Sequence, residues 1–144
     1  MKRPLLIASL ALVTLASLGA TEAMAKGAKL KVEDSDVYGR ILVNGGGKAL
    51  YLFTKEAGPT ADCYGECAAA WPPFLTSGKP SAGTGLSSKR LGTTIRSDGT
   101  RQVTFKGHPL YFYVHDTPDR ILCQDVFEFG GTWLLVNQRG NAVR

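Results

Sequence analysis

Cysteine offers the widest chemistry in this 144-residue chain, which contains three: Cys63, Cys67 and Cys123. Cys63 and Cys67 stand four residues apart. On one helical face their Cα atoms would lie about 6 Å apart, within the span of a disulfide. A bridge from Cys63 to Cys123 is the competing pairing, and either bond leaves one thiol over. Two thiolates at this spacing, joined by an imidazole, could instead hold a soft metal through Cys63, Cys67 and His115, with Cys123 as a further ligand. The spacing fits neither a zinc finger nor the Cys-x2-Cys of thioredoxin-like oxidoreductases. The favoured reading is therefore a structural bridge between Cys63 and Cys67 with no metal or cofactor. Copper or zinc is the alternative.

Aromatic residues and carboxylates form a second set: Tyr51, Phe53 and Glu56, then Tyr111, Tyr113 and Asp116. Residues two apart on a strand share a face, so Tyr51 pairs with Phe53 and Tyr111 with Tyr113. Core packing accounts for both pairs, and an exposed platform for flat ligands is the alternative. Glu56 and Asp116 fall five residues beyond each tyrosine, the wrong parity for the same face of a regular strand. They are expected to cap a turn or accept backbone N–H bonds. Glycoside cleavage needs two carboxyls about 5–9.5 Å apart across a cleft, and no motif here supplies one. There is no Gly-x-Ser-x-Gly elbow, and Gly45-Gly46-Gly47 leads into a strand rather than the helix a phosphate loop requires. No catalytic residue is assigned, and the chain is expected not to be an enzyme.

These residues must be positioned by short β elements. Tyr38 to Val43 and Ala49 to Thr54 read as strands of a hairpin joined by Asn44-Gly45-Gly46-Gly47. Cys63 to Ala70 reads as one short helix, ended by Trp71-Pro72-Pro73. Thr93 to Arg96, Arg101 to Phe105 and Leu110 to Val114 read as a meander, and Trp133 to Val136 as a buried strand. Residues 26–37 form an N-terminal arm, open between a lead-in strand and a loose segment, and residues 76–92 form a connector without periodicity.

Comparing the chain with itself shows a repeat. Gly47 to Glu56 aligns with Gly107 to Asp116 at an offset of sixty residues, and at that offset Cys63 falls on Cys123. Trp71 falls opposite Trp133 with two residues inserted. The expected fold is mainly β: two pseudo-repeats of antiparallel hairpin and meander units, about 38–75 and 93–137, within one small domain of residues 38–144.

The string Cys63-Tyr64-Gly65-Glu66-Cys67-Ala68-Ala69-Ala70-Trp71-Pro72-Pro73, together with Tyr51-x4-Glu56 and Tyr111-x4-Asp116, resembles a bacterial family described as a secreted repeat of unknown function. Its lipoprotein members share a Tyr-x4-acid motif. The resemblance spans roughly residues 38–137 and implies an extracytoplasmic β-rich repeat protein with no established reaction. Two departures stand out: Glu56 occupies a position usually held by Asp, and no lipobox cysteine is present.

The first residues agree with export. Met1-Lys2-Arg3 is basic, Leu5 to Leu18 is apolar, and Ala23-Met24-Ala25 is a small-residue cleavage site, so residues 1–25 read as a signal peptide. The apolar run is too short for a membrane-spanning helix. With no cysteine near Ala25, the product is expected to be periplasmic or secreted without a lipid anchor. The whole chain carries 17 Lys and Arg against 12 Asp and Glu. Removing Lys2, Arg3 and Glu22 leaves a net +4, spread along the chain, which suits weak attraction to anionic envelope polymers more than nucleic-acid binding. The expected function is a non-enzymatic binding or interaction module of the cell envelope, with an envelope component or protein as partner. The alternative is a periplasmic copper-handling or thiol-redox protein using Cys-x3-Cys.

Overall fold

The structure is a computed structural model that describes residues 26–144. The signal peptide expected over residues 1–25 lies outside the described residues. Among the described residues nine strands and one short helix follow in order: β1 (Lys29–Ser35), β2 (Gly39–Asn44), β3 (Tyr51–Phe53), α1 (Glu66–Ala70), β4 (Ser81–Ala82), β5 (Leu91–Ile95), β6 (Arg101–Phe105), β7 (His108–Pro109), β8 (Val126–Glu128) and β9 (Gly131–Leu135). A 3-10 turn at Ser88–Arg90 leads into β5. The strands form three small sheets, ordered β2-β1-β4, β3-β9-β8 and β5-β6-β7. Every pairing is antiparallel except that of β1 with β4. The fold is mainly β, as the sequence predicts.

The 26–37 segment supplies a true strand, since β1 pairs along its whole length with β2, from Leu30 opposite Asn44 to Ser35 opposite Gly39. Leu30 is fully buried and anchors it. The connector also contributes a short strand, β4, held beside β1 by Ser81 N–H donating to the Ala28 carbonyl at 2.9 Å.

The repeats exchange strands. Tyr51, Leu52 and Phe53 of the first pair with Leu135, Leu134 and Trp133 of the second. Reciprocally, Tyr111 of the second repeat bridges to Pro73 of the first, Phe112 N–H donates to the Pro72 carbonyl at 2.8 Å, and Val114 N–H donates to the Ala70 carbonyl at 3.0 Å. The halves meet where Tyr51 and Tyr111 exchange backbone hydrogen bonds of 2.8 and 3.0 Å. Leu110 to Val114, expected as a regular strand, has isolated bridges instead of a ladder. Pro72 and Pro73 have no N–H with which to return the bonds, whereas Trp133 and Leu134 do.

Two apolar clusters follow from the period-two alternation of side chains. Tyr51, Phe53, Tyr111, Trp133 and Leu135 point into one, together with Cys63 and Trp71. Leu50, Leu52, Leu110, Leu134 and Val136 point into the other, with Phe74, Val103 and Phe105. The central exchanged strands are thus buried on both faces. Strand β8 was not expected from the sequence. It is an edge strand with Phe127 largely exposed, so it lacks the apolar alternation that marks a buried strand.

The helix begins at Glu66, later than expected, leaving Cys63 in the preceding loop. Cys63 and Cys67 nonetheless bond, with Cα atoms 5.3 Å apart. The bridge pins the loop to the first turn of a helix too short to hold itself. Cys67→Ser should cost about 2 kcal/mol by the loop-entropy argument and lower the melting temperature by roughly 8 °C. Unchanged thermal unfolding of the variant would show that the bridge carries no structural role.

Candidate functional site

The Tyr and acid residues of the two repeats meet across the boundary between them. The Tyr51 hydroxyl donates to Asp116 Oδ2 at 2.5 Å, and the Tyr111 hydroxyl donates to Glu56 Oε1 at 2.5 Å. Each tyrosine therefore bonds to the acid of the other copy. The second task of each acid is local: Asp62 N–H donates to Glu56 Oε1 and Leu122 N–H to Asp116 Oδ1, both at 2.8 Å. Each acid accepts a backbone N–H bond from the residue six positions further on, the role expected of it, although only Glu56 follows a regular strand. The phenols from the opposite repeat are additional. Parity along one strand could not show this, because the partners come from different strands.

All four groups are buried. Burial, followed by the hydrogen bond to Asp116, raises the Tyr51 phenol far above its ordinary value. Tyr111 is raised likewise by burial and then by Glu56. Burial raises the Glu56 carboxyl from 4.5 to about 6, against the lowering effects of the Tyr111 and Asp62 bonds and the Arg96 charge. Neutral phenols and an acid held up by burial are suited to sharing protons, and Glu56 also lines a surface pocket with Phe53, His108 and Arg144.

Arg96 is a site residue that sequence reasoning missed. It is 4 % exposed, with Nη1 donating to Gln102 Oε1 at 2.7 Å, Nη2 donating to the Cys63 carbonyl at 2.6 Å, and its guanidinium 4.3 Å from the centre of the Tyr64 ring. Gln102 Nε2 continues the chain to the Leu110 carbonyl at 2.8 Å. Arg96 Nε and Glu56 Oε2 have no hydrogen-bond partner among the described residues. In sequence Arg96 stands before a Ser-Asp-Gly turn, where an arginine is ordinarily solvated, so no local signal marks it.

Around the tyrosines, the large rings form a column. Phe53 stacks on Trp133 with centroids 4.1 Å apart, Trp133 on Trp71 at 4.3 Å with planes 3° from parallel, and Tyr113 lies 4.9 Å from Trp71. Tyr51 meets Trp71 edge-on and Tyr111 meets Trp133 edge-on, both at 5.2 Å. Trp71 Nε1 donates to Glu128 Oε2 at 2.9 Å. The close stack needs Gly131, where an added Cβ would come within 2.6 Å of the Phe53 ring. Three of the four motif aromatics, Tyr51, Phe53 and Tyr111, belong to the buried core, and Tyr113 reaches the surface half-buried.

The thiol residues are more dispersed. Cys63 and Cys67 are bonded to each other, and Cys123 is a half-buried free thiol. The sulfur of Cys123 lies beside the Tyr113 hydroxyl and raises that phenol above its ordinary value. His115 is exposed and meets the Tyr113 ring edge-on at 5.5 Å. His108, half-buried, is lowered by burial and by the Lys106 charge. Among the described residues no three His, Cys, Asp or Glu side chains are gathered as a metal site.

Tyr51→Phe or Tyr111→Phe keeps the ring and strips a buried carboxylate of its phenol donor. Each should cost about 1–3 kcal/mol, read by denaturant unfolding, and a loss under a few tenths of a kcal/mol would show that the bonds are incidental. Glu56 also sets a pH dependence. A carboxyl raised in the folded state favours folding while protonated, below 4.5, and that contribution is lost as pH rises through about 6. The change is on the order of 1 kcal/mol after solvent screening. Glu56→Gln should flatten the stability curve between these values relative to the parent. Parallel curves would place the titration elsewhere.

Among the described residues no helix is long and apolar enough to cross a membrane. No curated protein and no solved structure matches the chain. The model of one family, described as a secreted repeat of unknown function, matches residues 34–74 and 92–137, the same two segments that exchange strands and phenol–carboxylate bonds. The chain belongs to this family of secreted repeats.

Proposed function

We propose that this secreted repeat protein is a non-enzymatic binding module of the cell envelope, and that its ligand is an anionic polymer segment. The observation that carries this reading is a groove of about 930 Å³ walled by Lys26, Lys29 and Arg101, with no carboxylate among its lining residues. Phe74, Gly45 and Gly46 also line it, and exposed Leu75 and Ile95 add apolar surface. Clustered cations beside apolar side chains suit a chain bearing spaced carboxylate or phosphate groups, whose backbone can lie on the aliphatic surface. The buried Tyr and acid motifs support the same assignment indirectly, because groups consumed by the core are poorly placed to turn over a substrate.

Binding of oligogalacturonate and of short-chain polyphosphate, measured by calorimetry at low and moderate salt, tests the reading and separates carboxylate from phosphate chemistry. Affinity for one of these should fall with salt and drop about tenfold or more in Lys29→Glu/Arg101→Glu, with the melting temperature unchanged. Equal binding by the charge-reversed variant, or no binding of either polymer by the parent, would overturn the proposal.

A further inference from the structure

The chain is held in place two residues ahead of its first strand. Ala28 N–H donates to Thr76 Oγ1 at 2.9 Å, that hydroxyl donates on to the Gly78 carbonyl at 2.6 Å, and Ser81 N–H donates to the Ala28 carbonyl at 2.9 Å. Gly27 lies so close to the segment before β4 that an added Cβ would collide with the Lys79 carbonyl oxygen. A loose arm needs none of these contacts. With Gly27 clamped, Lys26 is the next residue out, its Cα about 3.8 Å away. Lys26 and Gly27 both line the 930 Å³ groove that Lys29 and Arg101 also wall. The three basic side chains have no ion-pair partner among the described residues, so the positive charge of the groove is left for a ligand.

We propose that the α-amine of Lys26, set free by cleavage after Ala25, is a binding group of this groove, so that export processing completes the site for its anionic polymer. The inference rests on the groove being that polymer's site. Ala23-Met24-Ala25 supplies the small-residue pattern that a signal peptidase cleaves. Hydrolysis of the Ala25–Lys26 amide takes up one water: the carboxylate leaves with the leader, and the Lys26 nitrogen becomes a primary amine. Such a group is ordinarily protonated below about pH 8. In the precursor the same nitrogen is a neutral amide, so cleavage adds one positive charge to a groove that has no carboxylate among its lining residues. Lys26 then offers two ammonium groups, one on a long side chain and one on the backbone next to the clamped Gly27. The backbone group has less freedom to lose when it pairs with an anion, which is the advantage of a fixed cation over a lysine side chain. Gly27 supplies the close approach that only a residue without Cβ permits.

To test this, the full chain is expressed with its own leader in an exporting bacterial host, and the first residue of the exported protein is read by intact mass. It should be Lys26. Part of the sample is acetylated at about pH 6.5, where α-amines react ahead of lysine side chains, and peptide mapping verifies that only the N-terminus is blocked. Calorimetry with oligogalacturonate and short-chain polyphosphate at low salt should give an affinity about threefold to fivefold lower for the acetylated form, the worth of one exposed ion pair. The difference should close as salt rises. Gly27→Ala keeps every charge but not the clamped approach, and its affinity should fall by a similar factor. Lys89→Gln, which removes a charge outside the groove, should bind as the parent does. Equal affinity of the free and acetylated forms, parental affinity in Gly27→Ala, or an exported chain that starts at another residue would overturn the inference while leaving the groove as the binding site. Failure of the unmodified exported protein to bind either polymer would overturn the groove reading and this inference with it.

Discussion

Two hydrogen bonds from phenol to carboxylate, each crossing between repeats, set the arrangement on which the other contacts depend. A buried carboxylate without donors is costly, so Glu56 and Asp116 require a phenol from the opposite repeat once the fold has closed over them. Satisfying both fixes the relative position of the halves. Tyr51 and Tyr111 are then brought close enough to exchange backbone bonds, and their rings wedge against Trp71 and Trp133 from either side. The same carboxylates tie down the loops that follow them through the N–H groups of Asp62 and Leu122. One motif thereby joins strand exchange, loop anchoring and aromatic stacking.

The departures from symmetry are where the halves have specialised. Pro72 and Pro73 weaken one of the two exchanged ladders, and the first repeat compensates with the Cys63–Cys67 bridge, which fastens the helix leading into those prolines. The second repeat retains only Cys123, whose thiol sits beside Tyr113. Glu56, one methylene longer than Asp116, lies on the side where Arg96 and Gln102 form a buried polar chain. Arg96 ties that side to the loop of Cys63 through its carbonyl. The longer acid and the buried cation occur together, and the shorter acid has no such neighbour among its hydrogen-bond partners.

This division of labour separates interior from surface. The tyrosines and acids that define the repeat are consumed by its closure, whereas the surface groove is lined by other side chains, among them Lys29 and Arg101 on strands of two different sheets. A groove assembled from separate sheets can change its walls without disturbing the buried tyrosines and acids, which are not among its lining residues. That tolerance is the physical advantage of burying the motif rather than displaying it.

The sequence by itself determined the β class, the two repeats, the strand-forming segments around Tyr51 and Phe105, and the proximity of Cys63 to Cys67. Each of these follows from local period, turn chemistry or short separation along the chain. It also marked Glu56 and Asp116 as acceptors of backbone N–H bonds, because that role is satisfied within six residues. Only the tertiary structure decided that Tyr51 bonds to Asp116 and Tyr111 to Glu56, that Trp71 stacks on Trp133, and that Arg96 is buried. Those contacts join residues 33 to 65 positions apart, and a one-dimensional pattern has no period that reports them. The exchange of strands is equally invisible locally: a strand has the same alternation whether it pairs with its own repeat or with the other, and the choice is made by which pairing buries both carboxylates with a donor.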